Sequence, residues 1–361
     1  MTRQLRFQAT DRLLVLAPHP DDETLATGEM IQFAMAAGAK VRVVFATDGD
    51  NNPWPQRWCE RRWRIGTAER ARWGKRRRAE AVAALARLGV ASESARFLGW
   101  PDLGITNLLM RDDAAIDVLA AEIDAFAPTH VAMPSLRDRH PDHGALRVML
   151  ELALRKAHTQ CLCFGYVVHG RSVDSGEWEL ASDAQRHSRK REALAEHASQ
   201  IALSKKRLLR WASQSESFEQ SETRGSSVAA ATASGVLSIP LTPPYRFLRR
   251  HDVLLVLADG RHIERACVRL PRFVKSGVSR VLGKGLCSGR ATIEMVEGSL
   301  RVTFDASVQS GVSGFIKLER TAPRLLIFDR ETWHRVEDLT AMQELVARQA
   351  EPVAAVQRAS F

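Results

Sequence analysis

Between Leu13 and Val168, short apolar runs alternate with segments of helical period. Leu13–Ala17, Val41–Thr47, Arg96–Gly99, His130–Pro134 and Cys161–Val168 read as strands. Glu23–Ala37, Lys75–Leu88, a segment capped by Asp112 or Asp113 and running through Phe126, and His143–Lys156 have helical spacing. Gly38 and Gly89 stand where two of these helices should stop. Ser188–Ile201 reads as one further helix. Such alternation predicts an α/β fold: a doubly wound, mostly parallel, Rossmann-like sheet with helices on both faces. Gly225–Gly235 is rich in small residues and reads as a linker or loose loop. Beyond it strands dominate. Asp252–Ala258 and His262–Leu270 flank Asp259-Gly260, a strong hairpin signal, and Ala291–Val296 and Leu300–Phe304 flank Glu297–Ser299. Leu325–Phe328 reads as a strand, and Glu331–Ala350 as containing a helix. The expected organisation is a domain at 1–220, a linker or loop at 221–235 and a β-rich C-terminal region at 236–361.

The chemistry is concentrated at two predicted strand ends. The first strand runs into AlaProHisProAspAspGlu (Ala17–Glu23), and ArgHisProAspHis (Arg139–His143) follows the strand ending at Pro134. In an open parallel sheet, sites form beyond the carboxyl ends of strands, so the two clusters can meet. Two imidazoles and a carboxylate make an open zinc set with a place left for water. Adjacent residues in a tight turn do not easily face one ion, so Asp22 is the candidate ligand beside His19, and Asp21 stays free as a base. The same reasoning makes His143 a ligand and leaves His140 to stabilise an oxyanion or protonate a leaving amine. Asp142 is placed to hydrogen-bond one of these two imidazoles and set its tautomer.

Taken together, these stretches resemble the LmbE/PIG-L family of zinc-dependent N-deacetylases. ArgArgAlaGlu (Arg77–Glu80), PheLeuGlyTrpProAsp (Phe97–Asp102) and LysArgGluAlaLeuAlaGluHisAlaSerGln (Lys190–Gln200) are similar to further blocks of that family, so the resemblance covers about residues 10–220. It implies an enzyme that removes an acyl group, acetyl by preference, from the nitrogen of an amino sugar or glycoconjugate. It further implies Zn2+, or another divalent transition metal, on His19, Asp22 and His143, with Asp21 as general base, His140 assisting and Asp142 tuning a histidine. His197, within the last block, reads as a satisfied helix histidine, and His130 as structural.

Two features depart from the family pattern: the region beyond about residue 225, and a basic insertion after the second strand. The net charge of +10 raises a nucleic-acid or anionic-surface partner. However, ten Arg/Lys against two Glu between Arg57 and Arg78 supply +8 of it, so the excess is local. Trp54, Trp58, Trp63 and Trp73 are interleaved there. Indole faces and guanidinium groups suit a sugar bearing negative charge. Arg61, Arg62, Arg64, Trp63 and Arg78 are therefore the candidate substrate contacts, for an anionic or lipid-linked conjugate at a membrane surface. The plainer reading packs the tryptophans down and leaves the arginines solvated. A reading from another class is an inactive hydrolase fold that binds nucleic acid or an anionic surface through this segment; the intact zinc and base residues argue against it. No apolar run is long enough to span a membrane, the start does not read as a signal peptide, and five scattered cysteines suit a reducing compartment, so a cytoplasmic protein is expected.

Overall fold

Leu13 to Ala17 are buried on both faces, with no polar alternation, which is the pattern of a central strand covered by helices on either side. The computed structural model describes residues 3–170, 177–181, 183–212 and 214–220 of one unit, Met1–Thr223. In a second unit, Arg224–Phe361, it describes 227–231, 236–240, 251–258, 262–270, 276–283, 289–296, 299–304, 313–320, 328–329 and 331–336.

The first unit runs β1 (Arg3–Gln4), β2 (Arg12–Ala17), α1 (Asp22–Ala36), β3 (Lys40–Thr47), α2 (Pro53–Glu60), α3 (Thr67–Arg87), β4 (Ala95–Trp100), α4 (Ile105–Arg111), α5 (Ala114–Phe126), β5 (His130–Pro134), α6 (Pro141–Lys156), β6 (Leu162–Tyr166), β7 (Trp178–Glu179), α7 (Ala184–Glu196), α8 (Ala198–Ala212) and β8 (Ser217–Gln220). Its sheet order is β1-β7-β8-β6-β5-β2-β3-β4. Strands β2 to β6 are mutually parallel, and β8 pairs antiparallel with β6. The chain leaves β2 for β3 and β4 on one side and returns to β5 on the other. The carboxyl ends of β2 and β5 are thus a topological switch point, where diverging connections leave a crevice.

Three local readings change. Thr67 begins α3 eight residues before Lys75, because the Glu69 carboxylate returns to the Gly66 amide at 3.1 Å and Trp73 is buried as an apolar anchor. Helix α2 lies inside the basic insertion, started by Asn52, whose Oδ1 accepts from the Trp54 amide at 3.2 Å, and by Pro53. The single helix expected over Ser188–Ile201 is two, broken at His197 (φ −76°, ψ 50°). There Glu80 takes both the Ser199 amide (3.1 Å) and its hydroxyl (2.5 Å), holding the start of α8.

The second unit contains β9 (Ser227–Ala231), β10 (Val236–Pro240), β11 (His251–Ala258), β12 (Ile263–Arg269), β13 (Ser276–Gly283), β14 (Gly289–Val296), β15 (Ser299–Phe304), β16 (Ser313–Arg320) and β17 (His334–Val336), closed into a barrel in the order β10-β15-β14-β13-β12-β11-β16-β17-β9. Alternate residues Val253, Leu255, Leu257, Ile316 and Leu318 fill its interior. Closure removes the unpaired strand edges that an open sheet would leave. Strands β11 and β12 pair antiparallel up to Ala258 opposite Ile263, and β14 and β15 up to Val296 opposite Ser299. The turn residues Asp259, Gly260 and Glu297 lie outside the described residues. Ser227–Ala231, within the stretch read as a linker, is strand β9, and the remainder of 221–235 lies outside the described residues. His334–Val336, at the start of the stretch expected to contain a helix, is a strand, and the remainder of that stretch, 337–350, lies outside the described residues, as does most of Leu325–Phe328.

Candidate metal centre

The turns that follow β2 and β5 meet across the switch point. Asp21, at the N-cap position of α1, has φ 129° and ψ −27°, a backbone that an L-residue holds only when its surroundings impose it. This turn folds Asp22 Oδ2 back onto the His19 amide (3.0 Å) and to 3.2 Å from His19 Nδ1. On the other side His140 caps α6, its Nδ1 accepting from the Asp142 amide at 3.3 Å. One turn into α6, His143 Nε2 lies 3.2 Å from the same Asp22 Oδ2.

The donors fit a metal ion. A tetrahedral ion with bonds of about 2.0–2.1 Å spaces its ligand atoms about 3.3–3.4 Å apart, close to both separations at Asp22. Both ring nitrogens of His143 are buried and neither is aligned for a hydrogen bond, although each is near a carboxylate. Among the described residues, three overlapping sets bring ligand atoms within 4.8 Å of one another: His19, His140 and His143; Asp22, His143 and His169; and His19, Asp102 and Asp142.

The electrostatics favour a cation. Burial alone would lower the pKa of His143, but the carboxylates of Asp138 and Asp22 raise it to about 9. Burial would raise that of Asp22, yet His143 and His19 hold it well below the usual carboxylate range. Burial also pushes Asp21 up, to about 6, against the pull of Arg77 and with the push of Asp22. Burial, together with the positive charge of His19, His143 and His169, drives His140 well below the ordinary imidazole value.

Asp142, expected on the imidazole of His140 or His143, directs its carboxylate elsewhere. It takes the Leu103 amide at 2.7 Å and the Ile105 amide at 3.2 Å, and lies 3.4 Å from His19 Nε2. The carboxylate on the Nδ1 side of His143 is that of Asp138, at 3.0 Å. Asp138 also accepts from the amides of His140 (2.9 Å), Val168 (2.7 Å) and His169 (3.0 Å). Asp102 meets His19 Nε2 at 3.4 Å and takes the Asn51 amide at 2.7 Å. In the sequence alone, Asp138, Asp102 and His169 carry no assigned role. Asp138 stands two residues before His140 and Asp102 ends a block already singled out, so both had a sequence signal; His169, beyond β6, had only its place after a strand.

A second layer secures the strained turn. Arg77, buried, donates to the carbonyls of Gly49 (2.6 Å) and Pro20 and lies 3.3 Å from Asp21 Oδ1. Gly49 has φ +60°, and a Cβ there would stand 1.7 Å from Arg77 Nη1, so only glycine permits this approach. Glu23 accepts the Asp21 amide at 2.9 Å and lies 2.9 Å from His197 Nε2, whereas His197 Nδ1 is buried without a hydrogen bond, so the expected satisfied histidine is satisfied at one ring nitrogen. His130 is packed on Phe164 and Thr129.

The insertion divides. Trp73 is buried, whereas Trp54, Trp58 and Trp63 are exposed. Arg61 and Arg64 are exposed, and Arg62 pairs with Glu69 at 3.0 Å. Arg78 is held by both oxygens of Asp48 (2.6 and 2.9 Å) and lies over Phe97, a structural contact.

The PIG-L family model, described as GlcNAc-PI de-N-acetylase, matches residues 14–154. The chain is 34% identical over 195 residues to the 1D-myo-inositol 2-acetamido-2-deoxy-alpha-D-glucopyranoside deacetylase of Mycobacterium sp. (strain KMS), covering 50% of this chain and 61% of that protein. It is 36% identical over 181 residues to the enzyme of that name from Mycolicibacterium gilvum, covering 45% and 61%. It thus spans about 61% of the length of these curated relatives. Among solved structures it is similar to a triple mutant of the deacetylase of the teicoplanin biosynthetic pathway (23% identity, 59% of this chain and 100% of that one, TM-score 0.46). It is similar too to the N,N'-diacetylchitobiose deacetylase of Pyrococcus horikoshii (17% identity, 58% and 84%, TM-score 0.48). The match over residues 14–154 contains both His-Pro-Asp turns, so it is the first unit of this chain that is similar to the PIG-L (LmbE-like) family.

Proposed function

We propose that this chain is a zinc-dependent hydrolase that removes an N-acetyl group from an amino-sugar conjugate. The observation that carries this reading is Asp22 Oδ2 lying 3.2 Å from both His19 Nδ1 and His143 Nε2, with Asp21 next to it in a strained turn. His19, Asp22 and His143 would hold the ion, which when bound acidifies a water and polarises an amide carbonyl. Asp21 takes the proton of the attacking water. Its raised pKa, about 6, leaves it ionised near neutrality yet basic enough to accept that proton. Arg77 and Glu23 fix the direction of the carboxylate. His140 receives the Asp142 N–H on Nδ1, which leaves its proton on Nε2. Of the two roles open to it, that tautomer supports donation to the amide oxygen as charge builds there. As the C–N bond breaks, Asp21 returns its proton to the departing amine, leaving acetate and a free amino sugar.

Both ligand imidazoles are backed by carboxylates on their far nitrogens, His143 by Asp138 and His19 by Asp102 and Asp142. Such partners orient a ligand and raise its basicity. Asp138→Asn is expected to weaken ion binding about 10–100-fold, measured by competition with a chromophoric chelator. Affinity equal to the parent's would remove Asp138 from that role.

Ion and base act on any reachable amide, so substrate choice falls to the walls. Asn51, which binds Asp102 through its amide and its side chain, roots the insertion at the centre. This supports Arg61, Arg62, Arg64 and Trp63 as contacts for an anionic conjugate. Replacing the three arginines with Gln should raise KM for a phosphorylated N-acetyl sugar conjugate by about three- to tenfold, the scale of exposed ion pairs. Hydrolysis of a small neutral N-acetyl sugar should be unaffected. Added salt should imitate the change; equal KM and equal salt response in variant and parent would reduce the arginines to solvated surface.

A further inference from the structure

Helix α2 is turned inside out for a helix in water. Gln56 is fully buried, its Nε2 donating to the Glu69 carbonyl at 2.8 Å, and Pro55 is buried beside it. Trp54 and Trp58, four residues apart and so on one face, are 58% and 67% exposed, and Trp63, just beyond the helix, is 74% exposed. A folded chain normally does the reverse, since indoles are the side chains that gain most from leaving water. Nor is this a slack loop whose rings could collapse. Trp63 meets Trp54 edge-on with centroids 6.4 Å apart. The Arg57 guanidinium lies 4.9 Å from one ring centroid and 4.8 Å from the other, and its Nε donates to the Trp63 carbonyl at 2.9 Å. The exposure is built in and held.

The charge around these rings has one sign. From Pro53 to Gly66 there are Arg57, Arg61, Arg62 and Arg64 and a single acid, Glu60, which is taken by Arg72 at 2.6 Å. Indoles at the level of the headgroups with arginines beside them are the pattern of a segment that lies in the interface of an anionic bilayer. Among the described residues no helix is long and apolar enough to cross a membrane, so contact through this segment would be peripheral.

We propose that α2 and the turn after it, through Trp54, Trp58, Trp63 and their arginines, dock the protein on an anionic lipid surface. Because Asn51 ties the root of α2 to Asp102 beside His19, docking would bring the leaflet to the rim of the metal centre. This deepens the deacetylase reading by favouring a conjugate whose sugar is carried on a lipid.

The test is co-sedimentation of the full chain with vesicles of pure phosphatidylcholine and of equal parts phosphatidylcholine and phosphatidylglycerol. The parent should bind the mixed vesicles and not the neutral ones. Its tryptophan emission should shift to the blue and be quenched by brominated acyl chains. Trp54→Ser/Trp58→Ser should bind about tenfold or more weakly, from the lost burial of two indoles, while its unfolding midpoint stays at the parent's. Absence of parent binding, no quenching by brominated lipid, or undiminished binding by the double variant would each overturn the proposal. So would indoles covered by a second copy of the chain, seen as a dimer in sedimentation. Vesicle binding is read without substrate and turnover without vesicles, so docking and deacetylation can fail separately.

Discussion

Replacing His143 with alanine should remove the bound ion and turnover together. His143 supplies one of three proposed ligand atoms, and its ring separates two buried carboxylates, 3.2 Å from Asp22 and 3.0 Å from Asp138. Without it Asp22 has lost a partner that keeps it ionised, and one histidine with one carboxylate is a poor site for zinc. The parent should carry one ion per chain by mass spectrometry of the native protein. Stripping it with a chelator should abolish hydrolysis of an N-acetyl sugar, and zinc should restore it. His143→Ala should carry no ion at micromolar zinc and show no rescue. Parent-like ion content in that variant would exclude His143 from the ligand set and direct attention to the His19, Asp102 and Asp142 group instead.

For Asp21→Asn the expected pattern is opposite: the ion retained, turnover lowered about 10²–10⁴-fold, the usual worth of general acid–base catalysis, and KM little changed. The amide cannot take a proton from water, but the neighbouring ligands are untouched. The variant should also melt no lower than the parent. Burial, with Asp22 beside it, already disfavours the ionised carboxylate, so a neutral side chain there relieves a cost that function imposes. Loss of the ion would make Asp21 a ligand, and parental turnover would remove it from the mechanism.

The alternation of strand and helix determined the doubly wound first unit, because side-chain period records which faces are buried. β5 falls on its expected residues, and β2, α1 and α6 fall within two residues of theirs. The two His-Pro-Asp turns were legible as a pair, since their chemistry is local and strand ends of a parallel sheet share one edge. In the barrel, period two and turn residues were enough to find β11, β12, β14 and β15. The start of α2 also had its signal in Asn52-Pro53, but an arginine-rich composition masked it. Other features were decided only by tertiary contact. Asp138 and Asp142 lie within a few residues of two histidines each, and spacing could not say which imidazole each would face; the curl of the loop onto β6 and α4 assigned Asp138 to His143 and Asp142 to His19. His197 interrupts a sequence with uninterrupted helical propensity, because its buried ring satisfies Glu23 while Glu80 caps the next helix from another element. The tryptophans looked alike in sequence. Trp73 went inward and Trp54 and Trp58 outward, because the side of α2 carrying Gln56 found its hydrogen bond at the Glu69 carbonyl. Local pattern specifies a side chain's face; the partner it meets there depends on how distant segments close around it.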